Sequence, residues 1–201
     1  MDWHLYEDEA RRQGYSIICG VDEAGRGPLA GPVFAAAVIL PEGCEIEGIN
    51  DSKKLSEKKR DALFDIIKGK AIAICIASAS EAEIDNINIL QTTFLQLKRA
   101  VESLCVQPDI ALVDGIQVPP LSTSVRTIIQ GDGVSASIAA ASILAKVSRD
   151  RYMLEIDRQY PQYEFSKHKG YGTKLHYEML AQYGISPVHR KSFLKNLNRV
   201  K

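Results

Sequence analysis

Ile17-Ile18-Cys19-Gly20-Val21-Asp22-Glu23-Ala24-Gly25-Arg26-Gly27-Pro28-Leu29-Ala30-Gly31-Pro32 is the stretch from which the fold is read. A short apolar run ends in two adjacent carboxylates, and a loop with three glycines, two prolines and one arginine follows. An apolar run of this length suits a buried strand. Gly25, Gly27 and Gly31 permit backbone geometries or close approaches that a side chain would block. Two acids at the mouth of a buried strand are costly unless something offsets their charge. A divalent cation does so, since Mg²⁺ and Mn²⁺ prefer carboxylate oxygen; capping a helix or pairing with arginine is the alternative.

Working outward, the strand Ser16–Val21 is joined through the glycine loop to a second apolar run, Val33–Leu40 (VFAAAVIL), which Pro41 ends. The link is too short for a helical crossover, so the pair is predicted to be antiparallel. Ala71–Ala77, Ile110–Val113 and Ser124–Gln130 read as three further strands. Between them lie helical patterns: one capped by Ser56 and running through Ile67, one opened by a Ser80/Glu83 capping box, and one restarting near Asn88 and reaching about Cys105. Asp2 to Arg12 reads as an N-terminal helix capped by Asp2. Ser135 to about Arg158 is helical, and its small residues (SASIAAASILAKV) allow close packing on a sheet. Thr173 starts a helix to Tyr183, and Ser186-Pro187 is predicted to start the last one. Strands alternating with helices argue an α/β fold with a mixed five-stranded sheet. The 201 residues are read as one catalytic unit: residues 1–160 a catalytic domain, residues 161–201 a C-terminal helical extension packed on it.

The formal net charge is zero, so overall charge does not argue for a polyanionic partner, but its distribution is uneven. From Ser166 to Lys201 there are eight Lys/Arg against one acid, Glu178, whereas the first fifty residues hold nine acids and three Arg. This reads either as a basic patch for a polyanion or as a solvated basic helix pair. The four cysteines show no CxxC or CxxH spacing, which argues against a zinc site and fits a reducing cytoplasm. The N-terminus resembles no signal peptide, and no apolar stretch is long enough to span a membrane. A phosphate-gripping reading of GRGPLAG fails because the Gly-Lys-Ser/Thr ending is missing.

Asp22-Glu23 and Asp114 each follow a short buried strand, and ligand sites of α/β sheets gather beyond the carboxyl ends of strands. If the first and fourth strands are parallel neighbours, Asp22 and Asp114 face each other. Asp132, between two glycines and just before the small-residue helix, is placed to close the cluster from the side. Taken alone, Asp114-Gly115 reads as a turn and Gly131-Asp132-Gly133 as a loop. Together, four converging carboxylates call for cations, and two Mn²⁺ or Mg²⁺ held by acids hydrolyse phosphodiesters.

The elements VDEAGRGPLAGPV (Val21–Val33), DSKKLS (Asp51–Ser56), VDG (Val113–Gly115), GDG followed by SIAAASILAKVSRD (Ser137–Asp150), KGYGT (Lys169–Thr173) and HRKSF (His189–Phe193) resemble type 2 ribonuclease H, ribonuclease HII, in this order and spacing. The resemblance implies a ribonuclease H-like fold. It also implies metal-dependent endonucleolytic cleavage of RNA in RNA–DNA hybrids and at single ribonucleotides embedded in duplex DNA, leaving a 3′-hydroxyl and a 5′-phosphate. It assigns Asp22, Glu23, Asp114 and Asp132 as the catalytic, metal-binding acids. Gly25-Arg26-Gly27 becomes the sensor of the ribose 2′-OH, and Tyr171 its stacking partner. Lys53 and Lys54 are expected at phosphates, and Lys167, Lys169, Arg190 and Lys191 at the DNA-strand backbone. His189 and Arg190 have a second reading, as residues holding the final helix. Lys146 is expected to pair with Asp150, and His168 and His176 receive no catalytic role. The implied partners are the hybrid and ribonucleotide-containing DNA, acted on by a monomer with no membrane association and no obligate protein partner. The rival readings are a type 3 ribonuclease H, although a first strand near Ser16 leaves no room for that family's N-terminal substrate-binding domain, and a hybrid-binding protein without catalysis.

Overall fold

The computed structural model of the chain describes residues 2–195. Its centre is a five-stranded sheet of β1 (Ile18–Ala24), β2 (Val33–Ile39), β3 (Ala73–Ala79), β4 (Ile110–Asp114) and β5 (Ser124–Ile128), in the order β3-β2-β1-β4-β5. The β1–β2 and β2–β3 pairs are antiparallel, and β1–β4 and β4–β5 are parallel. The mixed sheet is thus as the short glycine link predicts. β1 runs three residues past the expected end at Val21. Its ladder with β2 continues to Ala24↔Phe34, whereas its ladder with β4 stops at Val21↔Val113. Asp22 and Glu23 are therefore held by the ladder with β2 on one side and left open on the other, where the ladder with β4 has ended.

Helices cover both faces. They are α1 (Leu5–Arg12), α2 (Glu57–Lys70), α3 (Glu81–Ile87), α4 (Ile89–Glu102), α5 (Ala136–Gln159), α6 (Phe165–His168) and α7 (Lys174–Tyr183). Side chains alternate along a strand, so Val21 packs with Leu97, Ala100 and Val101 of α4, while Ala36 and Val38 of β2 meet the Ala139–Ala145 stretch of α5. The small residues of α5 act as expected. A Cβ built on Gly20 of β1 would lie 2.0 Å from the carbonyl carbon of Ser137, so helix and strand backbones are in direct contact. The start of α5 is fixed by its Ser135 cap and by the buried Glu7 of α1, whose Oε1 accepts from the Ser135 hydroxyl at 2.7 Å and the Ser137 N–H at 3.0 Å.

The predicted caps at Ser56 and Ser80 are present, the latter as a full capping box. Asn88, at φ 75°, ends α3 and caps α4 through its bond from the Gln91 N–H. Asp2 does not cap α1; it accepts the His4 N–H in a preceding turn, and the helix starts at Leu5. Among the described residues, no helix starts at Ser186-Pro187. Ser186 to His189 form a turn closed by the His189 N–H, which donates to Ser186 O at 3.1 Å, and the glycine loop takes neighbouring backbone groups: Gly31 N–H donates to Val188 O at 2.9 Å and Arg190 N–H to Leu29 O at 2.8 Å. A separate core cluster joins Leu29 and Ala30 of that loop to Met153 and Ile156 of α5 and to Tyr163, Phe165, Leu180 and Val188. None of the described helices is long and apolar enough to cross a membrane.

Candidate active site

Because β1 and β4 are parallel neighbours, Asp22 and Asp114 meet at their carboxyl ends. Asp132 lies in a short 3-10 turn (Gly131–Gly133) bound to β4 by the Gly131 N–H, which donates to Asp114 Oδ1 at 2.7 Å. One carboxylate oxygen from each of Asp22, Asp114 and Asp132 lies within 4.8 Å of the others. Glu23 is outside this trio because its side chain leaves the opposite face of β1 from Asp22. It reaches the rim, where its Oε1 meets Arg26 Nη1 at 3.4 Å. An open cleft of about 220 Å³ is lined by Asp22 and Glu23 together with Gly25, Gly27, Lys53 and Tyr171.

The cluster is electrostatically loaded. Burial, then Glu23 and Asp114, hold Asp22 well above the usual carboxylate range. Burial also raises Glu23, with Arg26 working against it. Asp132 is pushed up to about 6 by burial, Asp114 and Asp51. Lys53 reaches to 4.0 Å from Asp132 Oδ2 on a side chain that is 80 % exposed, and the surrounding carboxylates raise its pKa against the cost of burial. Hard oxygen donors that repel each other when ionised, with a lone flexible ammonium nearby, fit a divalent cation.

This makes metal binding a competition with protons. Ionising Asp132 costs folding free energy in the metal-free protein, so its contribution to stability is present below the ordinary value of 3.8 and is lost as pH rises through about 6. A cation reverses the sign by taking the ionised form. The rise in Tm on adding Mg²⁺ is therefore expected to be small at pH 5 and larger at pH 7.5, as thermal-shift titrations at the two pH values will record. Equal shifts at both would contradict the proton competition.

The glycine loop and Tyr171 meet as anticipated. A Cβ on Gly27 would lie 3.8 Å from Tyr171 Cε1, and the tyrosine is 43 % exposed, its ring lying against the cations of Lys146 and Arg149. Lys146 also pairs with Asp150 at 2.7 Å. Lys54 pairs with Asp51 at 3.7 Å. Lys167 pairs with Glu164 and Lys169 donates to Ser166 O, and neither lines the cleft.

Arg190 corrects the expectation of a DNA-backbone contact. It is 0 % exposed and donates to three loop carbonyls, Gly31 O at 2.8 Å, Arg26 O at 3.0 Å and Gly25 O at 2.6 Å. A phosphate cannot reach it. In a trans peptide the N–H points opposite to the carbonyl. Fixing the Gly25 and Arg26 carbonyls therefore turns the Arg26 and Gly27 N–H groups to the other side of the loop. Arg149, also buried, holds Ala30 O and Pro32 O. Lysine has no planar fork, so Arg190→Lys is expected to cost roughly 3 kcal/mol of stability, measurable by urea unfolding; a wild-type midpoint would show the clamp to be dispensable.

Three contributors escaped sequence reasoning. Asp51 belongs to the quoted DSKKLS element, yet its influence on Asp132 depends on where the chain returns. Ser142 works against the rise at Asp22 through a side-chain hydrogen bond, and its hydroxyl lies 2.9 Å from that of Ser52. Arg149 carried no signal beyond its place in the long helix.

Comparison with known proteins identifies the family. A family profile described as Ribonuclease HII matches residues 19–196. A ribonuclease HII of Caldicellulosiruptor bescii is 57% identical over 191 residues, 95% of this chain and 93% of that protein. The crystal structure of the ribonuclease H2 from Pyrococcus horikoshii OT3 superposes with a TM-score of 0.76 at 28% identity, over 92% of this chain and 98% of the other. A Bst ribonuclease HIII in complex with Mn²⁺ shares the fold, with a TM-score of 0.67 at 16% identity over 91% of this chain and 70% of the other. With the profile spanning residues 19–196 and a relative 57% identical over 95% of this chain, the chain belongs to the ribonuclease HII family and is a metal-dependent endoribonuclease of the ribonuclease H type.

Proposed function

We propose that this enzyme cleaves the RNA strand of RNA–DNA hybrids and nicks duplex DNA 5′ of single embedded ribonucleotides, leaving a 3′-hydroxyl and a 5′-phosphate, as a cytoplasmic monomer. The observation that carries the reading is that Asp22 and Glu23 line one cleft with Gly25, Arg26, Gly27 and Tyr171, while Asp22 also meets Asp114 and Asp132. Asp22, Glu23, Asp114 and Asp132 hold two divalent cations, Mn²⁺ or Mg²⁺. Cations bound there would supply an activated water and charge stabilisation for the leaving oxygen. The chain's own part is placement. Asp114 fixes the Gly131 turn and with it Asp132; Glu23 approaches from the rim, restrained by Arg26.

Recognition falls to the loop. Backbone groups of Gly25-Arg26-Gly27 approach the sugar edge and read the 2′-OH, the group that separates RNA from DNA. Tyr171 stacks on the sugar that follows, where a second 2′-OH would disturb the contact, so an RNA–DNA junction is favoured. Lys53, Lys54, Lys167 and Lys169 meet phosphates, which position the duplex without reading its sequence.

Purified protein is expected to nick a duplex with one ribonucleotide when Mg²⁺ or Mn²⁺ is present and to be inactive in chelator. Binding without cutting in both conditions would favour the hybrid-binding reading. Tyr171→Ala is expected to lose about 10-fold or more on the single-ribonucleotide duplex, with a smaller loss on a continuous hybrid. Equal cutting by variant and wild type at the single ribonucleotide would remove the stacking role.

A further inference from the structure

Three histidines that the chemistry does not use are gathered behind Tyr171. His168, His176 and His189 are 7 %, 0 % and 1 % exposed, and the rings of His168 and His176 stack with centroids 4.4 Å apart. All six ring nitrogens have partners. His168 Nδ1 accepts the Gly170 N–H at 3.2 Å, so its Nε2 donates to Tyr163 O at 2.9 Å.

The other two form a directed chain. His189 Nδ1 accepts the Ser186 N–H at 2.9 Å and lies 2.7 Å from the Ser186 hydroxyl. A backbone N–H can only donate, so the neutral ring of His189 carries its proton on Nε2. That Nε2–H faces His176 Nε2 at 3.0 Å, which must then accept. The proton of His176 is therefore on Nδ1, which donates to Tyr171 O at 2.9 Å. Burial pushes both His176 and His189 down to about 4, so each is neutral at working pH, as the chain of donors requires.

The chain ends next to the residue that clamps the glycine loop. His189 leads through His176 to Tyr171, and Arg190 leads directly to Gly25 and Arg26. The same three segments are stitched by backbone bonds: Leu29 N–H to Gly170 O at 2.8 Å, and Arg190 N–H to Leu29 O at 2.8 Å. We propose that His176 and His189 are positioning residues which, with Arg190, hold Tyr171 at a fixed separation from Gly25-Arg26-Gly27 and so set the preference for a single ribonucleotide over a continuous hybrid. This rests on Tyr171 and the glycine loop being the ribose reader.

The test has two parts. ¹⁵N spectra of histidine-labelled full-length enzyme at pH 7.5 are expected to show His176 protonated on Nδ1 and His189 on Nε2; the opposite tautomer at either ring overturns the relay. Cleavage of a single-ribonucleotide duplex and of a continuous hybrid is then compared in Mg²⁺. His189→Phe is expected to lower the ratio of the two rates about 10-fold, with hybrid cleavage within about twofold of wild type. His189→Gln, whose amide can still donate to His176, is expected to restore most of the ratio. In a Tyr171→Ala background His189→Phe is expected to have no further effect on the ratio, since residues acting through one another are non-additive. Equal losses on both substrates, additive losses, or no rescue by Gln overturns the proposal. If Tyr171→Ala itself leaves the ratio unchanged, the reader role falls and this proposal with it. If Tyr171→Ala lowers the ratio and His189→Phe does not, this proposal alone falls.

Discussion

Asp22→Asn is expected to abolish cleavage while making the metal-free protein more stable. Asp22 is 5 % exposed, and burial with Glu23 and Asp114 beside it holds its pKa well above the usual range. Its ionised form is thus a cost that the metal-free fold carries. An asparagine keeps the shape and can still accept the Glu23 N–H that Asp22 Oδ1 accepts at 2.7 Å, while the buried charge is gone. The sign follows from linkage: a carboxyl whose folded pKa is raised contributes stability that is complete below its ordinary value of 3.8 and is lost as pH rises above that value. Near pH 8 the variant is expected to melt a few degrees above metal-free wild type, with the difference shrinking towards pH 4. The same substitution removes a negative ligand from the centre of the trio, and a loss of about 10³-fold or more in turnover is expected. Calorimetry with and without Mg²⁺, alongside a nicking assay, reads both effects. A variant both active and destabilised would show that Asp22 is neither a ligand nor a strained charge.

The second large effect is at Gly20, away from the cleft. A Cβ there would lie 2.0 Å from Ser137 C, 2.2 Å from Ser137 O and 2.4 Å from Ile138 N. These are backbone atoms, so no side chain can rotate aside. α5 cannot retreat either, because Glu7 and the Ser135 cap fix its first turn. Gly20→Ala is expected to cost roughly 3 kcal/mol or more by overpacking, lowering Tm by roughly 10 °C. It would also carry Asp132, just before α5, out of register with Asp22 and Asp114. Gly69 in α2 is the control: a Cβ there meets nothing within 4 Å, so Gly69→Ala is expected to be neutral or stabilising. Thermal melts of the two variants decide the matter, and a Gly20→Ala protein melting with wild type would refute the close contact.

Much of this was legible in the residues, for identifiable reasons. The antiparallel first pair, and with it the mixed sheet, followed from one short loop, since Ala24 to Val33 leaves no room for a crossover helix. Caps at Ser56, Ser80 and Asn88 are local chemistry and appear where their side chains demand. Asp22 and Asp114 could be paired because strand ends converge in parallel sheets. Arg190 was misjudged because sequence shows its charge but not its depth. Three carbonyls of a distant loop outcompete solvent for it. The missing final helix fails for the same reason: Ser186-Pro187 is a valid local start, but the glycine loop takes the backbone bonds. Glu23 shows a finer limit. Its identity was clear, but only the strand's continuation through Ala24 places it on the face opposite Asp22.

The clamp on the glycine loop has a consequence for the order in which the enzyme is made. Synthesis runs from the N-terminus, and the last of the four acids, Asp132, leaves the ribosome well before Arg190. The carbonyls of Gly25 and Arg26 emerge among the first residues yet wait for nearly the whole chain before a guanidinium reaches them. All four acids have thus left the ribosome while the carbonyls of Gly25 and Arg26 still lack the guanidinium that fixes them.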